Sequence, residues 1–213
     1  MCVFFDVDGV LIDGWHADTA RRKPWDATIE ADLGIDRAGF QRLLFGAPDG
    51  RPSPMAECIA GRRDLRAALD EILPQLGHHG PADVVMRYWF EKDSNVNPEV
   101  LQLVADIRER GVARVYLATG QEHHRAHHLW TTLGLRDRFD GMFYTAAIGV
   151  AKSDRRFFRA IDRALVSDPT QPPMFFDDQP GIVAVAVAAG WDATIFTSAR
   201  DVREHPRLRH LWV

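Results

Sequence analysis

The sequence predicts an α/β protein, a parallel sheet whose alternation of strands and helices is broken once by a helical insert. Three observations carry this reading. From residue 97 onward, short apolar runs alternate with segments of helical periodicity, the pattern of parallel strands joined by right-handed crossovers. At the start of the chain, Cys2-Val3-Phe4-Phe5 is continuously apolar and stops at Asp6-Val7-Asp8-Gly9, as a strand buried on both faces does. Between these parts, residues 15–95 carry Arg21-Arg22-Lys23, Arg62-Arg63, several prolines and helical patterning around 56–76, with no clear strand.

Past the insert the elements follow in order. Residues 98–110 predict a helix with Val100, Leu101, Val104 and Ile107 on one face. Asn97 caps it, Pro98 takes the first helical position and Gly111 closes it. Residues 112–118 read as a buried strand, 122–133 as a helix ended by Gly134, and 141–145 as a short strand. Residues 153–166 predict a helix with Phe157, Phe158, Ile161 and Leu165 on one side. A strand at 173–176 runs into Asp177-Asp178. A helix of small residues at 180–189 stops at Gly190, and 193–196 is the last strand.

Composition narrows the function classes. The chain has 213 residues, 46% hydrophobic and 26% charged, which excludes disordered, collagen-like and disulfide-scaffold proteins. One domain, or one with an insert, fits this length. Lys and Arg number 26 against 30 Asp and Glu, a net charge of −4, so no nucleic-acid partner is expected. Cys2 and Cys58 form no Cys-x-x-Cys pair; both are expected to be inert thiols in a reducing compartment. The start MCVFFDVDG has no basic segment and is not expected to be a signal peptide. The longest uncharged apolar run, 182–191, is far shorter than the ~20 residues of a membrane span. A cytoplasmic protein without a membrane partner is expected.

In open α/β sheets, ligands bind beyond the carboxyl ends of the strands. There the sequence puts Asp6 and Asp8 after the first strand, Thr119 and Gly120 after the second, Lys152 in the turn after the third, and Asp177 and Asp178 after the fourth. Each alone is also a common helix cap. Two acid pairs with a lone lysine at one rim are harder to explain that way, because converging buried carboxylates repel and unpaired charge is costly. A divalent cation relieves the repulsion, and hard oxygen ligands suit magnesium. Thr119, Lys152 and free backbone N–H groups suit a phosphate.

These segments resemble the four motifs of the haloacid dehalogenase-like hydrolase superfamily. Asp6-Val7-Asp8-Gly9-Val10 resembles the first, Tyr116-Leu117-Ala118-Thr119-Gly120 the second, Lys152 the third, and Phe175-Phe176-Asp177-Asp178 with its Ala-rich helix and Gly190 the fourth. The C-terminal half is most similar to small-molecule phosphatases related to the phosphatase domain of soluble epoxide hydrolase. The long first gap matches a cap inserted between the first two motifs. The resemblance implies a Rossmann-like core of residues 1–14 and 96–213 and an α-helical cap of residues 15–95. It also implies that Asp6 takes the phosphoryl group and Asp8 is general acid, then base, with its carbonyl on magnesium. Thr119 and Gly120 would hold phosphate oxygens, and Lys152 would neutralise Asp6 and the transferring group. Asp178 would bind magnesium directly, with Asp177 acting through water or as a support behind it. Dehalogenating relatives lack an acid where Asp8 stands. Three positions depart from the pattern: Gly120 where many relatives have Asn, Ser153 where they often have Pro, and Ile182 where many have a polar residue.

The expectation is a Mg2+-dependent phosphatase of a small phosphorylated metabolite, a monomer or homodimer. The alternatives are a sugar phosphomutase of the same superfamily and a regulatory binding module without turnover. His123/His127 and His124/His128 are i, i+4 pairs that could hold zinc, but no Cys or carboxylate completes a ligand set. They are expected on a solvated or phosphate-adjacent face, with His123 or His124 near substrate. Trp15, His16 and Trp25 are expected to pack in the cap, within possible reach of the site. Arg21-Arg22-Lys23 and Arg62-Arg63 are expected on solvated faces. Leu208, Leu211 and Trp212 are expected to pack on the core or on a partner chain.

Overall fold

The computed structural model describes residues 1–47, 50–165 and 170–212. Five parallel strands, β1 (Cys2–Phe5), β2 (Arg114–Thr119), β3 (Gly141–Tyr144), β4 (Met174–Asp177) and β5 (Asp192–Ile195), form one sheet in the order β3-β2-β1-β4-β5. The first strand is therefore central. Its residues alternate between the two faces, as a strand period of two requires. Val3 and Phe5 face a core completed by Val100, Leu103 and Ile107 of helix α6 (Pro98–Glu109). Phe4 faces the opposite layer, with Tyr116, Phe175, Trp191, and Phe157 and Phe158 of helix α9 (Arg155–Leu165). Its ring lies 5.2 Å from Tyr116 and 4.6 Å from Trp191. Both faces of the strand are covered, so its run is apolar throughout.

The helices in the insert are α1 (Ile29–Leu33), α2 (Arg37–Phe45), α3 (Pro54–Ile59), α4 (Leu65–Ile72) and α5 (Ala82–Lys92). They enclose their own apolar cluster, including Ile29, Phe40, Leu69 and Trp89. Trp25 stacks on Trp89 at 4.6 Å. The helical patterning around 56–76 is met by two separate helices, α3 and α4. Gly61 stands between them at φ +72°, and a Cβ there would collide with the Ala146 carbonyl. The close approach to Ala146, invisible in local sequence, breaks the helix. Thr145 departs likewise: it opens the one-turn helix α8 (Thr145–Ile148) rather than ending a strand, and its hydroxyl donates to the Gln121 carbonyl. The helix predicted from 153 begins at Arg155, and its predicted end at Val166 lies outside the described residues. The helix predicted over 122–133 is α7 (His123–His127) followed by a π-helical turn (His128–Thr132). Helix α10 (Pro180–Ala188), helix α11 (Ala199–Arg203) and a short 3-10 helix (Arg209–Trp212) follow, with Leu208 and Leu211 buried in the sheet's core. Among the described residues, no helix is long and apolar enough to cross a membrane.

The two connections between sheet and insert run side by side. Asp13 donates to the Asn95 carbonyl and Asn97 to the Leu11 carbonyl, at 2.9 and 2.8 Å. Helix α7 clasps this junction. Buried Arg125 donates to the Phe90 carbonyl at 3.1 Å and to the Asp93 carbonyl, and pairs with Asp93 Oδ2 at 3.3 Å. Trp89 Nε1 donates to the same oxygen. Gly14 backbone lies so close to Asp93 that a Cβ would collide with its carboxylate. Burial pushes the Asp93 carboxyl up to about 7, against the pull of Arg125 and with Asp8 adding to the rise.

A carboxyl raised in the folded state binds its proton more tightly there than in the unfolded chain, whose Asp pKa is about 3.9. The Asp93 contribution to stability is therefore most favourable near pH 4 and declines as pH rises to about 7. Urea unfolding at stepped pH checks this. Relative to Asp93→Asn, wild type should lose up to about 4 kcal/mol across that window. A difference that stays flat with pH contradicts it.

Candidate active site

Parallel strands bring their carboxyl ends to one rim, and the central position of β1 sets the site's geometry. Asp6 follows β1 directly, and its N–H donates to the Phe176 carbonyl at 2.9 Å, extending the ladder with β4. Asp177, the last residue of β4, is fully buried. Lys152 Nζ lies 2.7 Å from both Asp6 Oδ2 and Asp177 Oδ2. Asp6 Oδ1 accepts the Val7 N–H, and Asp177 Oδ1 accepts the Gln179 N–H at the entry to α10, each at 2.8 Å.

Asp178 lies beside them. Its Oδ2 accepts the Ala17 N–H at 2.6 Å, with His16 Nδ1 at 3.5 Å, while Oδ1 is buried without a partner among the described residues. Gly9, at φ +80°, passes so close that a Cβ would strike this carboxylate; only glycine serves both demands at that point. Asp6, Asp177 and Asp178 each offer a carboxylate oxygen, all within 4.8 Å of one another. Three acids thus cluster around one ammonium that pairs with two of them. Burial pushes the Asp6 carboxyl well above its usual range, against Lys152, and Asp177 and Asp8 reinforce the rise. Burial also raises Asp178, with the Ala17 N–H opposing. Burial pulls the Lys152 ammonium down, but Asp6 and Asp177 outweigh it and the net direction is up.

Of the four acids expected at the rim, the fourth stands apart. The Asp8 carboxylate accepts the Gln121 Nε2–H at 2.6 Å instead of joining the cluster. Thr119, at the end of β2, is fully buried, and its hydroxyl accepts from the same amide at 3.3 Å. A Cβ on Gly120 would meet open space, so sterics do not demand glycine there. His16, expected in the cap within reach of the site, meets Asp178; Ala17 and Gln121 gave no signal in the sequence, because each reaches the site through a contact far along the chain.

The histidines disperse. His124 Nε2 lies 2.7 Å from Asp64 Oδ2, at the start of α4. His128 meets Ser94 and the Phe90 ring, and His123 meets Tyr144. Among the described residues, the only cluster of three or more metal-ligating side chains is Asp6, Asp177 and Asp178. Trp25 packs inside the insert, but Trp15 is 43% exposed beneath the Arg22 guanidinium, where packing was expected. Arg62 and Arg63, expected on solvated faces, pair with Glu57 and Glu71. Burial pushes the Cys58 thiol up to about 11, which suits an unreactive thiol.

Removing Lys152 would leave two buried carboxylates facing each other. Lys152→Met should cost about 3–5 kcal/mol at neutral pH. Adding Asp177→Asn should recover part of the loss. Urea titration of the single and double variants measures both, and a single variant as stable as wild type contradicts the shared-ammonium picture.

A family model of haloacid dehalogenase-like hydrolases matches residues 1–190. No curated protein sequence matches the chain. A HAD family enzyme from Bacteroides thetaiotaomicron superposes with a TM-score of 0.72 at 18% identity, covering 94% of this chain and 95% of that one. The same enzyme in complex with magnesium and inorganic phosphate superposes with a TM-score of 0.68 at 18% identity, covering 91% and 92%. L-2-haloacid dehalogenase from Xanthobacter autotrophicus, with chloropropionic acid covalently bound, gives 0.59 at 18% identity over 97% and 83%. At such identities the structural likeness is one of fold, whereas the family model spans most of this sequence: the chain belongs to the haloacid dehalogenase-like hydrolases.

Proposed function

We propose that this hydrolase is a magnesium-dependent phosphatase of a small phosphorylated metabolite, acting through an aspartyl-phosphate on Asp6. The observation that carries the reading is the excess of charge at the rim. Lys152 pairs with only two of the three buried carboxylates, Asp6 and Asp177, and Asp178 Oδ1 has no partner among the described residues. That donor set is all hard oxygen, so the residues fit magnesium. Asp6, Asp178 and the Asp8 backbone carbonyl would hold it, with Asp177 supporting through Lys152 or water. When bound, magnesium supplies charge cancellation on the phosphoryl oxygens.

In the first half-reaction an Asp6 oxygen bonds to phosphorus as the ester P–O bond breaks, and Asp8 gives its proton to the leaving oxygen. Thr119 and the Gly120 N–H hold phosphoryl oxygens, and Lys152 keeps Asp6 oriented. In the second, water bonds to phosphorus as the Asp6–phosphorus link breaks, and Asp8 takes the water's proton. Phosphate leaves and Asp6 is restored. Asp8 separates this chemistry from dehalogenation on the same fold, because a halide departs without a proton. The phosphate and magnesium bound by the Bacteroides enzyme support the same choice. Within this proposal residues 1–14 and 96–213 are the core and 15–95 the cap. His16 and Ala17 against Asp178, and Asp64 against His124, would close it over the rim and exclude water.

Two expectations follow from the charges. Phosphate release from a monoester should vanish with chelator and return with magnesium, but return poorly with calcium, whose looser coordination misplaces the in-line geometry. Magnesium should also raise the melting temperature of wild type more than that of Asp178→Asn. Full activity after exhaustive chelation, or isomerised sugar phosphate without phosphate release, contradicts the reading. The two acids should differ as well: Asp6→Asn should abolish turnover, whereas Asp8→Ala should retain phosphate binding and lose about 10²–10⁴-fold in kcat. Measurable turnover by Asp6→Asn would remove it as nucleophile.

A further inference from the structure

We infer that Gln121 is the positioning residue for Asp8, selecting which of its carboxylate oxygens carries the proton. The inference rests on the phosphatase reading and goes beyond it, since no motif assigns Gln121 a role. Gln121 Nε2 lies 2.6 Å from Asp8 Oδ2 and 3.3 Å from Thr119 Oγ1. It is the only hydrogen-bond partner of the Asp8 carboxylate among the described residues.

The Gln121 backbone is itself held in place. Its main-chain carbonyl accepts the Thr145 hydroxyl at 3.1 Å and the Ala146 N–H at 3.2 Å. Glu122 follows at once and caps α7 by accepting the His124 and Arg125 N–H groups. Gln121 is 5% exposed, so its amide must find protein partners rather than water. Asp8, by contrast, sits on a loop whose backbone is fixed by Gly9 and Ile12, while its carboxyl group is otherwise free to turn. An amide N–H donated to Oδ2 occupies that oxygen as an acceptor. Oδ1 then carries the proton passed to the leaving oxygen and later takes one from water. The same amide nitrogen reaches the Thr119 hydroxyl, so one side chain ties the acid to the residue that would hold the phosphoryl group.

The test compares wild type with Gln121→Met, which has similar length and no donor, on magnesium-loaded full-length protein. The substrates are p-nitrophenyl phosphate, whose leaving group needs no proton, and phenyl phosphate, whose leaving group does. Single-turnover rates of phenol release are read for each. The variant should lose about 10–100-fold on phenyl phosphate and stay within about threefold on p-nitrophenyl phosphate, with KM nearly unchanged. Gln121→Glu, which sets a carboxylate against Asp8, should show the same selectivity and guards against a misfolded methionine variant. Equal losses on both esters, or no loss on either, overturn the role of Gln121. Wild-type protein inactive on both esters would instead overturn the phosphatase reading beneath it.

Discussion

The ammonium of Lys152, shared at 2.7 Å between Asp6 and Asp177, is the contact on which the site depends. Those acids end two neighbouring strands, β1 and β4, whose register pairs Phe5 with Phe176. Parallel strands covered on both faces deliver like charges to one buried rim, and the fold must compensate them. Lys152 does so for two of three carboxylates. The third, Asp178, is held by the Ala17 N–H and lies beside His16, at the start of the insert. Uncompensated charge of this size is tolerated in a buried site only where something else supplies the balance.

The sheet keeps this rim rigid by ordinary means. Aromatic rings fill one layer, where Phe4, Tyr116, Phe158, Phe175 and Trp191 pack in mutual contact. Aliphatic side chains fill much of the other. The insert carries a separate apolar cluster and meets the sheet through polar groups, chiefly Arg125 at the Asp93 junction and His124 against Asp64. Helix α7 makes both contacts and begins two residues after Gln121, so the attachment of the insert and the setting of Asp8 belong to one short stretch of chain.

Much of this was legible in the sequence. Strand positions follow from apolar runs and turn residues, and the rim residues follow from where those runs end. Asp6, Thr119, Lys152, Asp177 and Asp178 all stand at the expected rim. Features set by distant neighbours were not legible. Gly61 interrupts a helical pattern because Ala146 lies against it. Gln121 is one polar residue among several after β2 until Asp8, far along the chain, is seen beside it. The histidines look like metal-binding pairs by spacing, yet His123, His124 and His128 turn to Tyr144, Asp64 and Ser94 respectively. Local pattern records which residues a helix or strand presents; it does not record what arrives opposite them.

The central claim is that Asp6, held by Lys152 and flanked by Asp8, becomes covalently linked to phosphorus. The most direct measurement is mass spectrometry of wild-type protein acid-quenched during turnover of a phosphate monoester with magnesium, with the modified peptide sequenced. The account predicts a phosphoryl group on Asp6, stable to acid and released by base. A phosphoryl group on His123, His124 or another histidine, or turnover in labelled water with no phosphoryl-protein at any time, would contradict it.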